Sequence, residues 1–463
     1  MKSKIAKVIL VLFVVCLFLG ALYGCNDTEE KRSVNTLVIY NWEDYMDTSL
    51  PELFAEYYEA VTGQPLEIIL SYFETNETML SKMLKGDANV DLICPSEYAI
   101  ERLMQYDLIQ NISELKASIL ENNRYGVSFD NLDNIEPEVT DKIRTMFNEV
   151  GPNKQNMGDY MIPYLWGTLG ILYNADVVTE EDLEYGWGIL WNECGNEALH
   201  GKILVKDSVR DTYCAAVLYM LEYGLLPEGY ENYSTQELIN CTDDVMLKAV
   251  EEVLTRQRDV IAGYEVDFGR DDMINEIVYV DLAWSGDALY AIEEGEKLGV
   301  NLDYFVPEIG ANLWFDGWVI PKNAANSLAA LMFIDFLCAP EIAILNTIEI
   351  GYTTAVSKEL LMENENVLAV LEENEYDPEE FFGDEHRFPV VSDKLGIMHD
   401  FGAKNDAVVA MWERAKAGNG VPMELVYVVI GAVALFLILI AAYFIYEKAK
   451  LKPKRFKFMK ADR

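Results

Sequence analysis

Histidine, basic residues and closely spaced cysteines are all scarce in this chain of 463 residues. The three histidines, His200, His386 and His399, are too few and too scattered for a zinc site. Outside the N-terminal apolar segment and its end, an odd number of cysteines remains, without short spacings: Cys94, Cys194, Cys214, Cys241 and Cys338. These absences exclude a disulfide-rich scaffold and a zinc site, and no cofactor is expected.

Basic residues number 36 against 78 acidic residues, which gives a formal net charge of −42. Because the basic residues crowd both ends, the body of the chain is even more acidic than this value suggests. A field of that sign repels nucleic acid and attracts cations. Solubility alone would also explain the charge, so cation binding has to be argued from particular residues.

The N-terminus has the layout of a secretory signal peptide. Lys2, Lys4 and Lys7 precede an apolar run that extends to Leu22. The run ends in Leu22-Tyr23-Gly24-Cys25, which resembles the lipobox of bacterial lipoproteins. We therefore expect a signal peptide over residues 1–25, with lipid attached to Cys25; an uncleaved anchor helix is the alternative.

A second membrane signal lies near the C-terminus. Residues 425–446 form an uncharged stretch that is long enough to cross a hydrocarbon core of about 30 Å. The tail at residues 447–463 is rich in lysine and arginine, and such residues favour the cytoplasmic side. The sequence thus predicts a transmembrane helix, a cytoplasmic tail and an acidic body on the extracytoplasmic face of the cell membrane.

The body of the chain shows alternating strand and helix patterns, which predict an α/β fold with largely parallel sheets. In the first part, strands are predicted at Thr36–Tyr40, Leu66–Tyr72 and Val90–Cys94, and helices at Leu50–Val61 and after Thr75 or Asn76, ending at Gly63 and Gly86. Ligands bind such sheets beyond the carboxyl ends of the strands. Polar and aromatic residues follow two of those ends, at Asn41–Tyr45 and Pro95–Tyr98.

The alternating pattern repeats further along the chain, which predicts two lobes. Lobe 1 is expected to comprise residues 36–165 and 312–355, and lobe 2 residues 168–309 and 356–418. The apolar segment Tyr160–Asn174 would leave lobe 1, and Leu313–Ile320 would return to it. Two lobes joined by more than one crossing strand predict a cleft with a hinge, which is a binding geometry.

Eight short motifs occur in a fixed order along residues 37–418: Tyr40–Tyr45, Asn76–Met79, Pro95–Tyr98, Ile162–Gly167, Val209–Asp211, Trp284–Ala288, Trp314–Asp316 and Ile350–Tyr352. This run resembles the spermidine/putrescine-binding proteins of bacterial ABC importers, which are extracellular solute-binding proteins. The resemblance implies a two-lobed, periplasmic-binding-protein-like α/β fold of type II, closing on a polyamine. It also implies partners, namely a membrane permease with a cytoplasmic ATPase.

The resemblance also implies a set of ligand-binding residues. The aromatic walls would be Trp42, Tyr45, Tyr98, Trp284, Trp314 and Tyr352. The amino groups would meet Asp44, Asp211, Asp316 and either Asp207 or, after a one-residue shift, Ser208, with Ser96 as a neutral hydrogen-bonding group. These residue types suit a polyamine, because carboxylates bind ammonium groups and aromatic faces attract them.

Other functions remain open at this point. An enzyme similar to thiaminase I would use a cysteine nucleophile, for which Cys94 is the candidate, although no base lies nearby in the sequence. A binder of another small cationic or organic ligand would keep the fold and change the pocket. Met398 occupies the position where the polyamine-binding family can have a glutamine. One end of the pocket is therefore expected to differ from the pocket of that family.

Overall fold

The structure, a computed structural model, describes residues 35–417. The predicted signal peptide with Cys25, the predicted transmembrane helix at residues 425–446 and the basic tail lie outside the described residues. Within the described range, no single helix has the length and apolar character needed to cross a membrane. The two helices Ser327–Leu337 and Pro340–Ile350 meet that criterion only as a pair, with a bend of 77° between them.

The strands of the described residues are β1 (Thr36–Asn41), β2 (Glu67–Tyr72), β3 (Leu92–Ile93), β4 (Ile162–Asn174), β5 (Ile203–Lys206), β6 (Gly263–Glu265), β7 (Val280–Trp284), β8 (Leu302–Phe305), β9 (Ala311–Trp318), β10 (Thr353–Thr354) and β11 (Leu395–Gly396). The chain forms two compact units. Of the described residues, unit 1 contains 35–168, 285–290 and 313–390, and unit 2 contains 169–284, 291–312 and 391–417.

Unit 1 is built on the parallel sheet β2-β1-β3, with an antiparallel part formed by the first half of β4 and the second half of β9. Its helices are Leu50–Thr62, Asn76–Lys85, Glu97–Gln105, Ile112–Glu121, Pro137–Met146, Ser327–Leu337, Pro340–Ile350, Lys358–Glu363, Glu365–Glu373 and Pro378–Gly383. The helices cover apolar strands, and the rings of Phe54 and Phe333 meet edge to face at 4.9 Å in the core.

Unit 2 is built on the parallel strands β6-β5-β7, and the second half of β4 runs antiparallel to β7 and β8. Its helices are Glu180–Leu183, Val209–Glu222, Thr235–Ile239, Asp244–Gln257, Gly269–Ile274 and Asn405–Ala417, while Ser285–Leu298 begins in unit 1 and continues in unit 2. Trp191 and Tyr219 stack at 4.0 Å in its core.

The predicted strands and helices of the first part are confirmed, including the two glycine ends. Gly63 and Gly86 follow their helices with φ angles of 68° and 74°, in the left-handed region that glycine adopts without strain. The helix Asn76–Lys85 begins at Thr75, whose hydroxyl accepts a hydrogen bond from the backbone N–H of Thr78.

The units differ from the expected lobes in one long segment. Residues 356–390, which the sequence assigned to lobe 2, lie in unit 1. The side chain of Thr353 donates a hydrogen bond to the carbonyl of Arg387, and the helix Glu365–Glu373 packs against Pro340–Ile350. Phe381, Phe382 and Phe388 form a small buried cluster that completes this packing.

Candidate functional site

Asp316 lies in unit 1 on the buried strand β9, and the strand pairing fixes its position. Its backbone is opposite Leu165 of β4 on one side and forms an isolated bridge to Ser96 on the other. The carboxylate accepts a hydrogen bond of 2.7 Å from the hydroxyl of Tyr45. Both side chains are buried, so two residues that are 271 positions apart form one polar pair inside an apolar surrounding.

Aromatic rings continue from the Tyr45 side of this pair. The ring of Tyr352 meets Tyr45 edge to face at 4.8 Å and Trp314 at 5.8 Å. The indole N–H of Trp314 is buried, and no hydrogen-bond partner for it exists among residues 35–417. The structure therefore brings four of the predicted residues, Tyr45, Trp314, Asp316 and Tyr352, into one aromatic and acidic cluster.

The motif Trp284–Ala288 places Tyr352 through two residues that the sequence analysis did not single out. The hydroxyl of Tyr352 donates a hydrogen bond of 2.9 Å to Asp287. Gly286 lies under the ring, where a Cβ atom would be 2.3 Å from the ring carbons. Only a glycine therefore fits under this ring as it now lies.

Burial changes the acidity of two groups in the cluster. It raises the pKa of Tyr45 well above its ordinary value, and the negative charge of Asp316 raises it further. Tyr45 is therefore a protonated donor at neutral pH. Burial and the charge of Asp316 also raise the pKa of the Cys94 thiol well above its ordinary value. A catalytic thiol needs the opposite shift, which argues against the nucleophile that the enzyme hypothesis requires.

Ser96 and Tyr98 are held together by Asn76, another residue that the sequence analysis did not assign to the site. The amide nitrogen of Asn76 donates to the Ser96 hydroxyl at 2.9 Å and to the Tyr98 hydroxyl at 3.0 Å. Its amide oxygen accepts from the backbone N–H of Ser96 at 3.3 Å. Asn76 opens the second of the eight motifs, and its place in that motif was the signal that could have identified it.

Trp42 and Asp44 differ from Tyr45 in their surroundings. The Trp42 ring packs on Phe73 with the ring centres 4.4 Å apart. Asp44 is exposed and has a φ angle of 51°, in the left-handed region that aspartate tolerates better than most residues. The turn after β1 thus directs Tyr45 into the core of unit 1 and leaves the neighbouring Asp44 at the surface.

Unit 2 contains a second pair of predicted residues. The indole N–H of Trp284, the last residue of β7, donates to the carboxylate of Asp211 at 3.3 Å. Asp211 lies in the first turn of the helix Val209–Glu222, which Ser208 caps. Burial raises the pKa of Asp211 above its ordinary value, although its hydrogen bonds and the nearby positive charges act in the opposite direction. The charged form of Asp211 is therefore costly unless a cation is close.

A buried ion pair adjoins Trp284 and was not predicted. The ammonium of Lys206 lies 4.3 Å from the centre of the Trp284 ring and pairs with Glu265. Lys206 and Glu265 are register partners on the parallel strands β5 and β6. A lysine at the end of the apolar run Ile203–Lys206 is the signal in the sequence, but it does not reveal the partner 59 positions away.

Asp207, which was expected to meet an amino group of the ligand, is paired with a lysine of the same chain. Its carboxylate accepts a hydrogen bond of 2.8 Å from the ammonium of Lys416. The pair is partly exposed, and such pairs contribute little to stability.

Met398, at the position where the family can have a glutamine, is buried. No group of three or more metal-binding side chains occurs in the described part of the chain.

Comparisons with known proteins agree with this arrangement. The family model of the bacterial extracellular solute-binding proteins matches residues 52–366. The spermidine/putrescine-binding periplasmic protein of Escherichia coli is 28% identical over 321 residues, covering 69% of this chain and 77% of that protein. The putrescine-binding periplasmic protein SpuD of Pseudomonas aeruginosa is 25% identical over 357 residues, covering 74% of this chain and 82% of that protein.

Solved structures give the same result for the fold. The spermidine/putrescine ABC transporter substrate-binding protein PotD of Streptococcus pneumoniae, in complex with calcium and HEPES, has a TM-score of 0.58 and 28% identity. The alignment covers 82% of this chain and 98% of that structure. The TpPotD lipoprotein of Treponema pallidum has a TM-score of 0.62 at 18% identity, covering 82% and 99%, and bears on the fold alone.

The resemblance inferred from the eight motifs is therefore confirmed, and so is the two-lobed α/β fold of the periplasmic binding proteins. The two relatives are named as periplasmic proteins that bind spermidine or putrescine, and PotD is named as the substrate-binding protein of an ABC transporter. This chain belongs to the family of bacterial extracellular solute-binding proteins.

Proposed function

We propose that the chain is the polyamine-binding component of an ABC importer and captures spermidine, putrescine or a similar amine. The names of the relatives support this ligand class. The observation that carries the proposal is the buried Asp316 carboxylate, which is hydrogen-bonded to Tyr45. The Tyr45 ring in turn meets the ring of Tyr352, and Tyr352 meets Trp314. A neutral sugar has no need of such a buried charge, whereas an ammonium group does.

The chemistry of the ligand supports the proposed residues. A polyamine carries ammonium groups that are separated by short hydrocarbon chains. Carboxylates form strong charge-assisted hydrogen bonds with the ammonium groups, and aromatic faces suit both the ammonium groups and the methylenes. The proposed ligand contacts are Trp42, Asp44, Tyr45, Ser96, Tyr98, Asp207, Asp211, Trp284, Trp314, Asp316 and Tyr352.

We also propose, as the resemblance to the family implies, that Asp316 and Asp211 each bind an amino group of the polyamine. Two single substitutions test this point, because a carboxylate that binds an ammonium group loses a charge-assisted hydrogen bond when it becomes an amide. Unchanged polyamine affinity in D316N or in D211N would count against the substituted residue as a ligand contact.

The membrane signals belong to the same proposal. Lipid on Cys25 and a transmembrane helix at residues 425–446 would hold the binding lobes at the extracytoplasmic surface, next to the permease. The basic tail would lie against the anionic inner surface, and the permease would use a cytoplasmic ATPase. Mass spectrometry of the membrane-extracted chain tests the lipid, since an unmodified N-terminus at Met1 would contradict it.

Asp316→Asn tests the proposed ligand contact. The substitution removes the charge but keeps the shape and an acceptor for Tyr45, so we expect polyamine affinity to fall at least about tenfold in calorimetric titration. Asp303→Asn is the matched control, because Asp303 accepts a hydrogen bond of 3.0 Å from Tyr173 and is not a proposed contact. Unchanged affinity in D316N, or an equal loss in D303N, would refute the role of Asp316.

A further inference from the structure

Lys206 is a fully buried cation within the proposed ligand-binding part of unit 2. Its side chain is 1% exposed, and its ammonium pairs with Glu265 and donates a hydrogen bond of 3.3 Å to the carbonyl of Val266. The same ammonium lies 4.3 Å above the ring of Trp284, well within the distance of about 6 Å for a cation–π contact. Lys206 therefore makes the kind of contact that we proposed for a ligand ammonium.

The backbone, rather than a flexible side chain alone, places this cation. Lys206 ends β5, its register partner Glu265 ends β6, and Trp284 ends β7, which lies on the other side of β5. The carboxyl ends of parallel strands meet at one edge of a sheet, where ligands bind in α/β proteins. A buried ion pair is weak as a source of stability, because both charges lose their hydration. Its location at this edge suggests a role in binding.

The ammonium of Lys206 also affects Asp211, the acidic residue that is hydrogen-bonded to Trp284. The indole N–H of Trp284 donates a hydrogen bond of 3.3 Å to the carboxylate of Asp211. The charge of Lys206, together with that of Arg210, lowers the pKa of Asp211 and so opposes the effect of burial. The carboxylate that would receive a ligand ammonium is thus already in the field of a resident ammonium. The side of the Trp284 ring that Lys206 covers is not open to a second ammonium group.

We propose that Lys206 determines ligand specificity. Its ammonium lies over the Trp284 ring, at the place where a ligand ammonium would otherwise bind. The chain therefore prefers a diamine, which has one ammonium group fewer, to a triamine. This inference rests on the proposed polyamine function. Glu265 holds Lys206 at that position, and the backbone N–H of Gly269 donates a hydrogen bond of 2.8 Å to the other oxygen of Glu265. The specificity thus depends on a pair of residues outside the predicted contact set.

The test compares putrescine with spermidine by calorimetric titration of the full-length chain in detergent. K206M alone leaves the Glu265 carboxylate buried without its cation, which destabilises a fold strongly. The main variant is therefore K206M/E265Q, which removes both charges and keeps an oxygen for Gly269. We expect its affinity for spermidine, relative to putrescine, to rise about tenfold. K206R, which keeps the cation, should retain the original preference.

Lys202→Met is the matched control. The ammonium of Lys202 also lies over an aromatic ring of unit 2, 5.2 Å from the centre of Tyr279, but neither residue is a proposed ligand contact. The spermidine-to-putrescine ratio should not change in K202M. If K206M/E265Q melts cooperatively and binds both amines with the original ratio, the role of Lys206 is overturned while the proposed function stands. If the unaltered chain binds neither amine, both are overturned.

Discussion

Tyr45 and Asp316 act as one hydrogen-bonded pair at the scale of single residues. The pair has a clear division of roles, because burial and the adjacent carboxylate raise the pKa of Tyr45 and keep its proton in place. The tyrosine thus donates and the carboxylate accepts over the whole neutral range. A buried carboxylate thus adjoins the ring of Tyr45, which meets Tyr352, and both kinds of group attract an ammonium group.

Asp335 is a buried acid of unit 1 outside the proposed site, and it makes stability depend on pH. Burial raises its pKa to about 6, although hydrogen bonds from Asn131 and from the backbone of Leu132 oppose the shift. The folded state therefore holds the proton more tightly than the unfolded state, where the pKa is about 4. The contribution of Asp335 is greatest below pH 4 and is lost as the pH rises from about 4 to about 6.

Asp335→Asn removes this dependence on pH. We expect the stability of the native chain relative to D335N to fall by about 1–3 kcal/mol between pH 4 and pH 7. Chemical denaturation at several pH values measures the difference, which cancels the titration of all groups shared by both proteins. A difference that stays constant over this range would contradict the raised pKa.

At the scale of elements, the first turn of the helix Ser285–Leu298 supports the aromatic cluster. Gly286 allows the ring of Tyr352 to lie directly against the helix backbone, and Asp287 of the same turn binds the hydroxyl. The ring then reaches Tyr45 and Trp314. One turn of one helix thus fixes the ring through both its face and its hydroxyl.

Gly286→Ala tests this support. The added methyl group would lie 2.3 Å from the ring carbons, so the Tyr352 ring has to leave its present position beside Tyr45 and Trp314. We expect polyamine affinity to fall at least about fivefold and the free energy of unfolding to fall by about 1–3 kcal/mol. Gly383→Ala is the control, because a Cβ at Gly383 would meet nothing within 4 Å. Native affinity in G286A would show that the ring position does not matter for binding.

The elements themselves could be predicted from the sequence, because apolar periodicity and glycine ends are local signals. The strand Thr36–Asn41 and the helix Leu50–Thr62 lie within a residue or two of their predicted bounds. The Lys206–Glu265 pair could not be predicted, since it depends on how β5 and β6 align in register. Asn76 was missed for a similar reason: its link to Ser96 and Tyr98 needs the fold of unit 1.

At the scale of the whole molecule, two properties govern the encounter with a ligand: the net charge of −42 and the division into two units. The order of the eight motifs was enough to identify the family. The place of residues 356–390 was not predictable, because an amphipathic helix does not specify which of two sheets it covers. The contacts that assign the segment to unit 1 are tertiary: Thr353 donates to the carbonyl of Arg387, and the helix Glu365–Glu373 packs against Pro340–Ile350.

The negative field of the whole chain should accelerate the capture of a cationic ligand. We expect the association rate constant of spermidine, measured by stopped-flow fluorescence of the tryptophans, to fall as the ionic strength rises. The dissociation rate constant should change less, because buried contacts are screened less than exposed ones. An association rate independent of salt would show that long-range attraction plays no part.

The most direct test of the central claim compares putrescine with 1,4-butanediol, which has the same carbon chain but hydroxyl groups in place of the ammonium groups. Calorimetric titration of the full-length chain should give a dissociation constant of about 1 μM for putrescine, or about −8 kcal/mol, and no measurable heat of binding for the diol. Equal affinity for the two compounds, or no binding of any polyamine, would contradict a site in which carboxylates bind ammonium groups between aromatic rings.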